Sequence, residues 1–312
     1  MTDTPVLQVD NLVKTFKIGF ARKVVHAVRG ISLEANQGEI FGFLGPNGAG
    51  KTTTIKMCTD LIRPSSGTIR LFGKAPSSAA ARGRLGYLPE QPYFYDYLKP
   101  EEILDFFGKL YGLSSTVRKK RTEALLDQVG LGHARGRTLR KFSKGMLQRV
   151  GLAQALISEP DLVILDEPLS GLDPIGRKEL KDIISSLKNK GTTVFFSSHI
   201  LADIELLCDK IAIIDQGKLK YTGPTRELIE QGHDEVEIIA TGLKEEFLAE
   251  LESYFSVQRF GETVKMVGSR EHSSSTVTRI IESGGKVRSV IPRSETLEEI
   301  FVKTANKAGG SP

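Results

Sequence analysis

Short apolar runs closed by glycine or proline, alternating with stretches of helical period, set the rhythm of the first two thirds of the chain. Alternation predicts strands over residues 6–9 and 24–28. Residues 16–23, with two aromatics and three basic side chains, read as the loop between them. The apolar run 39–44 reads as a buried strand, and 53–61 as a helix. A short strand follows at 68–73. Another ends at 86–91, where Pro89 and Pro92 open an irregular connection. Pro100 suits a first helical position with Glu101 and Glu102 in the favourable first turn, and Ile103, Leu104, Phe106, Phe107 and Leu110 follow at helical spacing up to Gly112. A second helix is predicted over 115–129 and a third opens after Ser143, a plausible N-cap, so residues 92–157 form a helical insertion. Residues 162–165 are wholly apolar and predict a central parallel strand. Residues 176–190 read as an amphipathic helix and 192–196 as a further strand.

The last quarter has a different order. Strands at 236–240, 256–260, 263–267 and 286–291 alternate with helices at 244–254 and 275–283, and a final helix is expected at 295–303. The order βαββαβ plus a helix predicts a small ferredoxin-like α+β domain over 229–306, after an α/β domain over 1–228. It carries no catalytic cluster, and residues 307–312 are expected to be a disordered end.

Composition adds bounds. The chain has 312 residues, 39% hydrophobic and 26% charged, a net charge of +5 and a pI near 9.0. That mild basicity does not point to nucleic acid, and none is expected as a partner. Cys58 and Cys208, each among apolar neighbours, read as buried thiols and not as a disulfide framework. No secretory signal and no apolar run approaching 18 residues is present, so another chain is expected to supply any membrane span. Arg135, Arg137, Arg140, Lys141 and Lys144 form a basic cluster. It reads as solvated surface or, beside a membrane, as a contact for anionic headgroups.

Chemistry concentrates in Gly45-Pro46-Asn47-Gly48-Ala49-Gly50-Lys51-Thr52-Thr53, a phosphate loop between a strand and a helix. Its glycines let backbone N–H groups approach phosphate oxygens, Lys51 can reach the β- and γ-phosphates, and Thr52 can ligate Mg²⁺. The strand at 162–165 delivers Asp166 and Glu167, suited to holding the Mg²⁺ shell and polarising a water. The strand at 192–196 delivers His199, which can reach a γ-phosphate. Phe16 is placed either to stack on adenine or simply to cover the sheet.

Together these segments resemble the ATP-binding cassette (ABC) ATPases over residues 6–225. The Walker A loop resembles 45–52, Walker B 162–166 with Glu167 as catalytic glutamate, the D-loop 170–173 with Asp173, and the switch histidine His199. Phe16 falls where the family has its adenine-stacking aromatic. Residues 142–148 resemble the signature motif, with Lys144 and Met146 departing from Leu-Ser-Gly-Gly-Gln, while Ser143 and Gly145 keep the positions that contact a γ-phosphate. The glutamine of the family's Q-loop falls at Glu90, with Gln91 next, so either residue is the candidate there for a Mg²⁺ ligand. The resemblance implies a P-loop NTPase fold with a parallel core sheet, an antiparallel β subdomain and a helical subdomain. It implies ATP and Mg²⁺, and a homodimer or a paralogous ATPase partner closing head to tail. The Ser-Lys-Gly-Met signature and the segment 296–301 resemble the bacterial export branch. That implies a separate ABC-2-type permease for an unknown substrate, at the cytoplasmic face of the plasma membrane. The rival expectation, a soluble ABC ATPase of DNA or the ribosome, is disfavoured by the single phosphate loop and by the roughly 115 residues from Lys51 to Asp166, too few for a long coiled-coil insertion.

Overall fold

The structure is a computed structural model in which residues 5–19, 23–230 and 235–293 are described. The expected helix at 295–303, the family-like segment 296–301 and the 307–312 end lie outside them. The chain divides into two compact units, Met1–Gly223 and Pro224–Pro312.

In the first unit, β1 (Leu7–Ile18) and β2 (Lys23–Ala35) form an antiparallel hairpin, which β4 (Ser66–Leu71) extends on the other side of β1. These strands are much longer than the apolar alternation predicts. Register shifts after Val9, Leu12 and Lys14, with Asn11 at positive φ, break the in–out pattern that betrays a strand in sequence. Phe16 is therefore not in a loop: it lies in β1, paired with Val25.

The second sheet has the order β5–β6–β7–β3–β8–β9, where β3 is Ile40–Leu44, β5 Leu85–Leu88, β6 Leu162–Leu165, β7 Thr193–Ser198, β8 Lys210–Asp215 and β9 Lys218–Pro224. The pairs β5–β6, β6–β7, β7–β3 and β3–β8 are parallel. Strands β3, β6 and β7 are buried at every residue, as covering both faces of a parallel sheet requires. Phe195 stacks on Phe41 with ring centroids 5.3 Å apart and meets Phe43 at 5.6 Å, which packs the sheet centre beneath the loop that follows β3.

The helices of this unit are α1 (Lys51–Cys58), α2 (Ala79–Arg82), α3 (Pro100–Leu110), α4 (Ser115–Gln128), α5 (Lys144–Leu156), α6 (Pro174–Asn189) and α7 (Leu201–Leu207). The predicted N-cap starts α5, and a cap that was not predicted starts α6 two residues ahead of the expected 176. Ser143 Oγ accepts from Met146 N–H, and Asp173 Oδ1 accepts from Gly176 N–H with Pro174 at the first position of α6. Both cysteines are free and buried, and burial pushes the Cys58 thiol up to about 12 and holds that of Cys208 well above its ordinary value.

The second unit begins with α8 (Thr225–Glu230). It continues as β10 (Glu235–Thr241), α9 (Glu245–Leu251), β11 (Phe255–Phe260), β12 (Thr263–Ser269), α10 (Ser273–Glu282) and β13 (Lys286–Arg293). The antiparallel sheet order β11–β12–β10–β13 is the ferredoxin-like arrangement expected from the element order. Ile238, Ala240, Met266, Phe255, Leu248 and Ile280 form its own core.

Candidate functional site

The loop from Gly45 to Gly50 leaves the carboxyl end of β3 and enters α1. A Cβ on Gly45 would stand 2.3 Å from the Ile214 carbonyl, and one on Gly50 2.4 Å from that of Ala27. Gly50 (φ +109°) and Gly48 (φ +79°) also take backbone angles costly to other residues. A Cβ on Gly48 would meet nothing within 4 Å, so its backbone angle and not crowding calls for glycine there. Thr54 N–H makes the first bond of α1, to Gly50 O at 2.9 Å, so the N–H groups of Lys51, Thr52 and Thr53 precede the intrahelical ladder at the positive end of the helix.

Lys51 is only 5% exposed. Its Nζ donates to Gly45 O at 2.6 Å and Pro46 O at 3.2 Å, and pairs with Glu167 Oε1 at 3.1 Å. That ion pair is not aligned as a hydrogen bond, which leaves Glu167 Oε1 a buried oxygen without an acceptor role. The other oxygen, Oε2, lies 2.9 Å from His199 Nδ1. With the carboxylate ionised, Nδ1–H donates and Nε2 is left for another partner. Glu167 itself sits at φ +48°, an angle its backbone holds because its N–H donates to Ser197 Oγ at 2.9 Å.

Asp166, at the end of β6, accepts at Oδ1 from Ser197 Oγ at 2.7 Å and from Thr52 Oγ1 at 3.3 Å. Burial pushes its carboxyl up from the ordinary range. The two hydroxyl bonds pull it back, and the charges of Glu90 and Glu167 add to the rise. Ser197 thus ties Asp166 to Glu167 from the neighbouring strand. Ser197 is a site residue that the apolar run 192–196 does not announce, and its place just past that run is the one signal in the sequence.

Lys51, Thr52, Glu167 and His199 line a recess of about 330 Å³ with Asn47, Gly48, Gly50, Thr53, Glu90 and Ser170, while Asp166 is not in its lining and reaches it only through its bond to Thr52. Glu90 lines it and Gln91 does not. Phe16 is also outside it, half-buried in β1 beneath Lys14 Nζ, which stands 5.0 Å from its ring centroid. Ser143, Gly145 and Asp173 line a separate hollow of about 270 Å³ with Leu131, His133 and Arg149, and the two spaces share no lining residue.

The residues fit a magnesium nucleotide. Free helix N–H groups, an inward lysine and a hydroxyl beside a carboxylate are the donor set for phosphate and Mg²⁺. Among the described residues no cluster of three or more His, Cys, Asp or Glu could hold a metal alone. Mg²⁺ takes one or two carboxylates and completes its shell with phosphate oxygens and water.

Comparison with known proteins agrees with this geometry. Residues 28–170 match the family model described as ABC transporter. The chain is 47% identical over 247 residues to the ABC transporter ATP-binding protein sll0415 of Synechocystis sp., covering 78% of this chain and 69% of that one. It is 35% identical to the bacitracin transport ATP-binding protein BcrA of Bacillus licheniformis, covering 96% of each. A solved ATP-binding subunit of an ABC transporter superposes with a TM-score of 0.64 at 33% identity, covering 72% of this chain and 92% of the other. The chain belongs to the ATP-binding subunits of ABC transporters, and its reaction is the hydrolysis of ATP.

Proposed function

We propose that this subunit powers export of a substrate through a separate ABC-2-type permease, working as a dimer on the cytoplasmic face of the plasma membrane. The observation that carries this reading is the separation of the Lys51 recess from the Ser143–Gly145 hollow on one chain. A γ-phosphate held at Lys51 has no signature residue of its own chain lining its recess. A second copy, or a paralogue, would complete each site head to tail, so that ATP joins two chains and its hydrolysis releases them.

The contacts support the following roles. Lys51 and the N–H groups of 51–53 bind and orient the phosphates, giving up the carbonyl bonds that Lys51 makes at the loop. Glu167 orients and deprotonates the attacking water, with His199 holding one carboxylate oxygen. Thr52, Asp166 and Glu90 are the Mg²⁺-holding set; the metal, when bound, neutralises charge developing on the phosphates. Phe16 is assigned to adenine as in the family, and Asp173 to the dimer seam. No helix among the described residues is long and apolar enough to cross a membrane, and the spanning part of the exporter is assigned to the separate permease. A groove of about 380 Å³ lined by Leu85, Tyr87, Pro92, Phe94, Phe107 and Tyr111 is the seat proposed for a cytoplasmic helix of that partner. Two further points support export: the relative BcrA is named for bacitracin transport, and residues 142–146 have the export-branch form. Capture of the native protein from detergent-solubilised membranes tests the reading. A multispan permease is expected with it; ribosomes or DNA in its place would overturn it.

A further inference from the structure

Two loops of the first unit are laced together beside the proposed permease groove. Leu139 N–H donates to Leu98 O at 2.8 Å and Arg140 N–H to Asp96 O at 2.7 Å. Gly136 N–H donates to Glu101 Oε1 at 2.6 Å. This lacing sets Tyr95 and Tyr97, 62% and 66% exposed with rings 5.7 Å apart, next to Arg137, Arg140 and Lys141. Lys99 lies on the same turn. Among the described residues none of these four cations makes an ion pair. The neighbouring Arg135 is held by Asp127. Three carboxylates belong to the patch: exposed Asp96, and Glu101 and Glu102, which bind backbone N–H groups of Gly136 and Lys99. The remaining charge is positive.

We infer that this face, Tyr95 and Tyr97 with Lys99, Arg137, Arg140 and Lys141, rests on the anionic phospholipid headgroups of the leaflet beside the permease. The chemistry matches on both counts. Tyrosine rings settle at the headgroup level, apolar body inward and hydroxyl in water. Unpaired lysines and arginines gain from an anionic surface within a Debye length, whereas paired ones do not. No apolar helix inserts, so the contact is weak alone and orients a subunit already held by its partner. The inference rests on the export reading only for which way the face is turned; the lipid affinity itself needs no permease.

The test is flotation of the purified full chain with phosphatidylcholine vesicles, with and without phosphatidylglycerol, at low and raised salt. The expected result is binding only to the anionic vesicles, lost at raised salt. Arg140→Gln with Lys141→Gln should weaken it on the order of tenfold or more, since each cation near such a surface is worth about fivefold in affinity. Tyr95→Ser with Tyr97→Ser should weaken it while leaving the salt dependence in place. Unchanged thermal midpoints establish that these exposed variants are folded. Equal flotation with neutral vesicles, or full binding by the double glutamine variant, overturns the inference. So does a wild type that ignores vesicles; if the double glutamine variant then also loses permease capture, the face belongs to the protein partner. Failure of wild-type permease capture with vesicle binding intact contradicts the export reading and leaves the lipid face standing.

Discussion

Lys51 Nζ stands 3.1 Å from Glu167 Oε1, with both side chains nearly sealed from water. Lys51 is the residue proposed to bind phosphate and Glu167 the one proposed to activate water, so the two charges assigned to the reaction sit against each other. Removing one partner of a buried pair strands the other's charge. Lys51→Met should lower unfolding free energy by about 3 kcal/mol as well as abolishing ATP binding. Adding Glu167→Gln should restore most of the loss, because the charge stranded by Lys51→Met is then gone. A double-mutant cycle by thermal unfolding without nucleotide checks this, and strict additivity would refute the coupling.

Ser197 gives one hydroxyl two tasks: it donates to Asp166 Oδ1 and accepts from Glu167 N–H, whose residue sits at φ +48°. Ser197→Ala leaves that buried N–H without a partner. It should cost about 1–3 kcal/mol and reduce kcat through misplacement of Glu167, with little change in ATP affinity. Ser197→Thr, which keeps the hydroxyl, should recover part of kcat. Equal loss in both variants would point to packing alone.

Burial raises the Asp166 carboxyl above its ordinary value of 3.8. For an acid raised in the folded state, stability is greatest below the unfolded-state value and is lost as pH climbs through the folded one. At neutral pH the ionised Asp166 therefore costs the nucleotide-free protein stability. Asp166→Asn keeps an acceptor for Ser197 and Thr52 and removes the charge. Its thermal midpoint should exceed wild type at pH 7, and the gain should vanish in acid below the ordinary carboxylate range. A midpoint below wild type at pH 7 would contradict this.

Much of this site was legible because the phosphate loop, Asp166-Glu167 and His199 lie at the ends of short apolar runs, and parallel strands bring such ends together. The ferredoxin-like unit was legible too, since its strands alternate cleanly around Val236, Ile238 and Ala240. What escaped was structure that breaks period. Three register shifts in the β1–β2 hairpin hid the strand that carries Phe16. Ser197 escaped because a lone serine in a buried strand acquires meaning only when the next strand sets Asp166 beside it.

Glu90 lines the recess and acts on Asp166 by charge, whereas Gln91 lies outside the lining. A carboxylate added to the metal-holding set raises affinity for a divalent cation. Glu90→Ala should weaken Mn²⁺ binding in the presence of a non-hydrolysable nucleotide on the order of tenfold, a size typical of losing support at a metal site. Gln91→Ala should leave it unchanged. Paramagnetic resonance of bound Mn²⁺ reads this directly, and the reverse ranking would move the role to Gln91.

Each ATP is proposed to lie between Lys51 of one chain and Ser143 and Gly145 of another, with Glu167 needed only for hydrolysis. The most direct measurement is the mass of Glu167→Gln in solution with and without ATP, beside its turnover. ATP-dependent dimers that persist, with no hydrolysis, are the expected result. Monomers in ATP that still turn over at the wild-type rate would contradict it.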